Sequence, residues 1–211
     1  MTGTDLHDLA SGFVTLLVVV EPLGLAPIFL ATTVRHSESS RARIAFRACI
    51  YAFAILAGAA FGGERLLSAV GISLPAFHIA GGMLLFSLAS EMVLGVRIRR
   101  EAYAAARAVE ENGRHIAAFP LAIPLMAGPG AITATLLLAG QARGDATKLA
   151  ALILSIAPVM LICYLVCRLA VRVERLFGTS ANIVVAKLLG VLLAALAVQF
   201  VLDGVRALLR G

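Results

Sequence analysis

Pro120-Leu121-Ala122-Ile123-Pro124-Leu125-Met126-Ala127-Gly128-Pro129-Gly130-Ala131-Ile132 lies inside an uncharged apolar run from about Ile116 to Gly140. A helix crosses a bilayer with about 20 apolar residues, so the run is long enough for one crossing. Its middle argues against an unbroken helix. Three prolines and two glycines fall within residues 120–130. Proline has no N–H to donate and clashes with the preceding turn, and glycine is a poor helix former. Gly128-Pro129-Gly130 is read as the point where one helix unwinds and another starts near Gly130. In lipid, such a break is tolerated only where protein or a wet cavity covers it.

A second break stands near the start of the chain. Glu21-Pro22-Leu23-Gly24-Leu25-Ala26-Pro27 interrupts an apolar run from about Leu6 to Val34. The remaining apolar runs are Ile44–Val70, Pro75–Val96, Leu149–Cys167 and Ala181–Leu202. Six membrane helices result, numbered one to six in chain order. Composition agrees with this count. Apolar residues make up 61% of the 211-residue chain and charged residues 14%, with a mean hydropathy of +0.97. A soluble domain has about 25% charged residues, so this chain has too few polar side chains to cover a water-facing surface.

The net charge of +6 does not indicate a nucleic-acid binder, because the basic residues lie between apolar runs. Arg35, Arg41, Arg43 and Arg47 separate helices one and two. Arg97, Arg99, Arg100, Arg107 and Arg114 separate three and four, and Arg168, Arg172 and Arg175 separate five and six. The opposite side holds only Arg65, Arg143, Lys148, Arg206 and Arg210. The positive-inside rule then places the Arg-rich connections in the cytoplasm and both termini outside. No cleavable signal peptide is expected, since Asp5 and Asp8 occupy the place of a basic leader. Cys49, Cys163 and Cys167 lie within apolar runs and read as small buried hydrophobes.

The halves match each other weakly. At an offset of 109, Gly81 meets Gly190, Leu84 meets Leu193, and Gly95-Val96-Arg97 meets Gly204-Val205-Arg206; at 107, Pro22 meets Pro129. The expected organisation is one all-α transmembrane domain over 1–211. Repeat one covers about 1–97, a cytoplasmic connection about 98–115, and repeat two about 116–211. Three crossings per repeat force the second repeat to insert upside down, which gives an inverted repeat with a site at the midplane.

Candidate site residues follow from the breaks. A helix restarting near Gly130 points free N–H groups and the positive end of its dipole into the interior, which suits a carboxylate. Gly128, Pro129, Gly130, Thr133 and Thr135 are assigned there. Glu21, with Pro22 and Gly24, belongs to the first break; a carboxylate in mid-membrane must face the interior, paired or protonated. It is expected to bind a substrate amine or to carry the coupling proton. Glu91 and Gln199 are further ion-coupling candidates, and Asp203 lies one turn after Gln199 on the same face. Lys187 reads as a snorkelling side chain. His78 reads as packed or interfacial, and Gly81 and Gly82 as points of close helix approach.

Pro120–Leu125 followed by Ala127–Ile132 resembles the signature of the MarC family of integral membrane proteins, as do Gly71-Ile72-Ser73 and Ala80-Gly81-Gly82. The resemblance spans essentially the whole chain. Pro22-Leu23-Gly24 and Pro27 are similar too, with one departure: the family usually has Asn before the first proline, and here Glu21 stands. The resemblance implies transport of small neutral amino acids such as alanine and glycine, coupled to a cation. With the residues read above, the expectation is a secondary transporter coupled to H+ or Na+ in a bacterial inner membrane, the cation coupling being what the resemblance implies, with no cofactor and no metal site. Its partners are a small-molecule substrate and the bilayer; self-association is left open. The competing classes are a membrane accessory or scaffold protein and a drug exporter. The absence of Trp and the 6% aromatic content argue against the exporter. No hydrolase or metalloprotease motif points to an enzyme.

Overall fold

The computed structural model describes residues 3–33, 36–96, 103, 117–142 and 145–210. Among these, every regular element is helical. Helix α1 (Gly3–Val20) meets a 3-10 turn (Pro22–Gly24) and then α2 (Leu25–Thr33). Helices α3 (Glu38–Val70) and α4 (Leu74–Leu94) follow. A π-helical segment (Ala117–Met126) precedes α5 (Pro129–Ala142), α6 (Ala146–Arg168) and α7 (Ala170–Arg210). The expected connection at about 98–115 lies outside the described residues except Tyr103.

Local chemistry sets the helix ends. The Ser37 hydroxyl accepts from the Ser40 N–H at 3.4 Å, and Glu38 occupies the first turn of α3. This cap starts α3 six residues before its apolar run begins. Ser73 caps α4 through Ala76 in the same way, and the Asp145 carboxylate accepts from the Thr147 N–H at 2.8 Å to start α6. Gly71 and Gly95, at φ 76° and 72°, end α3 and α4 in the left-handed region that glycine enters without a Cβ penalty.

Among the described residues, five stretches are long and apolar enough to cross a membrane: Leu9–Thr33, Glu38–Gly63, Leu74–Leu94, Ala146–Arg168 and Ile183–Leu209. The π-helical segment and α5 are each too short alone. The helices share one core. Leu16, Leu56, Leu85, Leu121, Leu137, Ile156 and Leu193 are all fully buried, so α1, α3, α4, the π-helical segment, α5, α6 and α7 each contribute to it. On the outside, Phe61, Met83, Leu84 and Leu188 are about 60% exposed. A belt of large apolar side chains on the surface is what lipid requires and water disfavours. The chain is an integral membrane protein.

Two packing relations position the breaks. Helices α4 and α7 run antiparallel in close contact. A Cβ at Gly82 would stand 2.7 Å from the Ala197 carbonyl oxygen, and one at Gly190 would stand 2.9 Å from the Met92 Cβ. Gly204 lies equally close to the Pro75 carbonyl. Gly82 therefore serves the close approach expected of it, while Gly81 faces Thr133 of α5. The second relation is reciprocal: α1 packs on α6, while the π-helical segment and α5 pack on α3.

The connection between the fifth and sixth apolar runs differs from expectation. In place of a loop carrying Arg168, Arg172 and Arg175, α7 begins at Ala170, and only Leu169 separates it from α6. Arginine is a good helix former, so the end of an apolar run does not end the helix.

Candidate functional site

The first break is fixed by Pro22. Proline disfavours the right-handed helical region at the residue before it; α2 and α6 run on through Pro27 and Pro158, but at Pro22 the helix gives way and α1 stops at Val20. Glu21 takes φ 52° and ψ 66°, and it is the one non-glycine with positive φ among the described residues. That conformation costs about 1–2 kcal/mol for a residue with a Cβ. The Gly24 N–H then closes the turn on the Glu21 carbonyl at 3.0 Å, and the Leu25 N–H bonds back to Pro22 and Leu23. The Glu21 side chain folds over Gly24, its carboxyl carbon 3.6 Å from where a Cβ there would be. It is 5% exposed and rests against the start of α2, the end of a helix dipole that favours negative charge. In the span Leu9–Thr33, Glu21 stands 12 residues from each end (21 − 9 and 33 − 21). The carboxylate is therefore inside the protein at the middle of a candidate span.

The second break forms where the prolines and glycines demand it. The π-helical segment closes with the Ala127 N–H bonded to the Ala122 carbonyl five residues back, at 2.8 Å. Gly128 is outside helix and buried, and α5 starts at Pro129, with Ile132 bonding back to the Gly128 carbonyl at 3.0 Å. Proline at the first helical position loses nothing, because the first-turn N–H groups have no intrahelical partner. Gly130 carries the contact between the breaks. A Cβ on it would meet the tip of Leu88 of α4 and stand 3.4 Å from Cγ1 of Val19, two residues before Glu21. The restart of α5 thus lies directly against the end of α1.

Around this contact the expected residues sort by position. Glu21, Pro22, Gly128, Thr133 and Thr135 are buried; Gly24 and Gly130 are half-buried; Pro129 is exposed. Thr133 turns its methyl towards Gly81, 3.0 Å from a Cβ position there. The Thr135 hydroxyl donates to the Ala131 carbonyl at 2.8 Å, so its proton is used within α5. Glu91 is half-buried on α4, one turn after Leu88. Cys49 of α3 packs on the Met126 sulfur at 3.9 Å, closing the break from the other side.

Gln199 is elsewhere. It is exposed, and its amide donates to the Asp203 carboxylate at 3.0 Å, with Arg206 at 3.7 Å from the same oxygen. Leu88 lies near the level where Gly190 packs on Ala89 and Met92, whereas Gln199 lies beside the Gly82 contact. Six residues of helix separate those levels on α4, about 9 Å at 1.5 Å per residue. Asp203 lines a different cleft of about 670 Å³ with His78, Gln141 and Lys148. His78 is buried with its ring edge-on to Phe200, and Lys187 is exposed on α7.

Sequence reasoning missed Val19 and Leu88, the side chains that join the breaks. Each is one apolar residue in an apolar run, and no local signal separates it from its neighbours.

The model of the MarC family, described as MarC family integral membrane protein, matches residues 6–209. A UPF0056 membrane protein of Archaeoglobus fulgidus is 41% identical over 92% of this chain and 90% of its own length. The UPF0056 membrane protein YhcE of Escherichia coli is 31% identical over 94% of this chain and 92% of its own. The UPF0056 inner membrane protein MarC of Escherichia coli is 30% identical over 94% of each. No solved structure matches.

Proposed function

This chain belongs to the MarC family of integral membrane proteins, and from that premise we propose that it is a secondary transporter of small neutral amino acids, coupled to H+ or Na+. The observation that carries the reading is the contact of two interrupted helices, Gly130 against Val19, beside a buried carboxylate at the middle of a span. Interrupted helices meeting at mid-membrane are the usual construction of a transporter site.

The architecture in this reading is six crossings in two inverted halves. One half is α1 with α2, α3 and α4; the other is the π-helical segment with α5, α6 and α7. The reciprocal packing supports it, because each broken crossing rests on the middle helix of the other half. So does the pairing of α4 with α7, the third helix of each half. The protein sits in a bacterial inner membrane with both termini outside, and it carries out no covalent chemistry.

In the mechanism, the first turn of α5 receives the substrate carboxylate. The N–H groups of Gly130 and Ala131 and the dipole behind them supply the attraction. Glu21 receives the amine or the coupling cation. A carboxylate buried at that depth is costly unless paired or protonated, so its charge is the group that a proton or a cation would neutralise as the halves move. Because Gly130, Leu88 and Val19 are in contact, loading requires the breaks to separate, and rocking of one half against the other does this.

The test is uptake of labelled alanine into proteoliposomes under a sodium gradient, a proton gradient, or neither. Gradient-driven uptake that is lost in Glu21→Gln is the expected result. Full gradient-driven uptake in that variant removes Glu21 from the mechanism. No uptake from folded protein under any gradient removes the amino-acid reading.

A further inference from the structure

A second cleft, of about 650 Å³, opens where the end of α2, the start of α3 and the junction of α6 with α7 come together. Arg41, Arg168 and Arg172 line it, against the single acidic residue Glu38. The surplus is two positive charges. Arg41 is anchored, since its Nε donates to the Thr33 carbonyl at 3.0 Å and so closes the end of α2. Arg168 and Arg172 are exposed, four residues apart across the Leu169 turn. The floor is apolar, with Phe29 only 2% exposed, while Leu169 and Val171 on the rim are 42% and 45% exposed.

The depth of this cleft identifies what it meets. Three candidate spans end at it, at Thr33, Glu38 and Arg168, so it lies at the boundary between hydrocarbon and headgroups. A ligand there meets guanidinium groups and exposed apolar side chains together. Guanidinium recognises phosphate through paired N–H donors, and basic pockets at helix ends on one membrane face suit anionic headgroups. The cleft near the other ends of α4 and α7 sets Lys148 against Asp203 and has no such surplus.

We propose that the cleft bounded by Arg41, Arg168 and Arg172 is a binding site for the phosphate of an anionic glycerophospholipid, with the lipid's acyl chains lying against Leu169 and Val171. The site is independent of the helix breaks and of the transport reading. Phosphate chemistry is shared by a lipid headgroup and a free anion; the apolar rim at the span ends selects the lipid.

The experiment titrates the purified, delipidated full chain with palmitoyl-oleoyl phosphatidylglycerol or phosphatidylcholine and counts bound lipid by native mass spectrometry. The wild type is expected to hold phosphatidylglycerol on the order of thirtyfold more tightly, the effect of two basic groups near an anionic headgroup. Arg168→Gln with Arg172→Gln should remove that preference, weakening phosphatidylglycerol far more than phosphatidylcholine. Equal binding of the two lipids by the wild type, or a preference that survives in the double variant, overturns the proposal. Inorganic phosphate at millimolar concentration should not displace phosphatidylglycerol; displacement at comparable affinity makes the cleft a soluble-anion site and overturns the lipid assignment. If the double variant does not fold, the wild type decides alone. Its preference must fall as NaCl rises from about 50 to 500 mM, as screening requires, and a salt-independent preference refutes the site.

Discussion

Replacing Gly82 by alanine tests the α4–α7 contact that holds the two halves together in this reading. The new methyl would stand 2.7 Å from the Ala197 carbonyl oxygen and 3.0 Å from the Val201 nitrogen, both backbone atoms of α7. Ordinary contact begins near 3.4 Å, so α7 must retreat by about 0.7 Å or the bond geometry must strain. Overpacking of this kind costs about 1–3 kcal/mol. Alanine also gains about 1 kcal/mol of helix propensity over glycine, which masks part of the loss. Gly58→Ala supplies the correction. Gly58 is in the interior of α3, and a Cβ there meets nothing within 4 Å. The propensity gain is common to both variants, and their difference isolates the packing cost. A chain of this size shifts its Tm by about 2–4 °C per kcal/mol, so Gly82→Ala should melt about 2–12 °C below Gly58→Ala. Cys49, Cys163 and Cys167 are buried, so a thiol-reactive fluorophore in mild detergent reports unfolding directly. A Gly82→Ala protein that melts at or above Gly58→Ala would refute the close approach of α4 and α7.

Other expectations follow from the breaks themselves. In a background with the three native cysteines replaced, Val19→Cys with Gly130→Cys should form an intramolecular disulfide under mild oxidation, read by mass spectrometry. The Val19 Cγ1 lies 3.4 Å from the Gly130 Cβ position, and one further bond to its Cβ keeps the pair within or near the 3.5–4.5 Å range that disulfides use. Persistently free thiols would show that the breaks are apart. Glu21→Asn should melt above Glu21→Gln by up to about 1 kcal/mol, since Asn enters the left-handed region more easily; equal melting would mean that the φ of 52° is not retained. Thr135→Val should leave alanine uptake unchanged and lower stability by at most about 1 kcal/mol, because its hydroxyl proton already serves the Ala131 carbonyl. Loss of uptake in that variant would place the hydroxyl on the substrate path.

Residue chemistry made both breaks legible. Pro22 followed by Gly24 marks the place where α1 stops at Val20, and Gly128-Pro129-Gly130 restarts a helix where it was expected. The close approach at Gly82 was legible for the same reason, since a missing side chain is a local fact. Hydropathy was less informative because it marks membrane boundaries and not helix boundaries. It placed the start of the second helix at Ile44, but Ser37 caps α3 at Glu38; it placed a loop after Cys167, but α7 begins at Ala170. The π-helical form of Ala117–Met126 was not foreseen either. Pro120 and Pro124 withhold N–H groups one turn apart, and the wider turn ends in the bond from Ala127 to Ala122. Which side chains join the breaks is a property of tertiary packing, and the sequence marks neither Val19 nor Leu88.

Glu21 is where local rules and the observed residue disagree, and the disagreement is informative. A turn that only interrupts a helix would be served by glycine or asparagine at that position. Glutamate adds about 1–2 kcal/mol of backbone strain, and it adds a carboxylate at the middle of a candidate span, 5% exposed. The strain opposes the break, and the dipole at the start of α2 offsets part of the cost of burying the charge. Strain of this kind persists where the surroundings impose it, and it gathers at functional sites. What glutamate supplies and asparagine lacks is a charge that a proton, a metal cation or an amine can neutralise. The break should therefore survive replacement by asparagine, while any cation dependence of transport should not. The two roles of this residue, one in its φ angle and one in its charge, separate in a single variant.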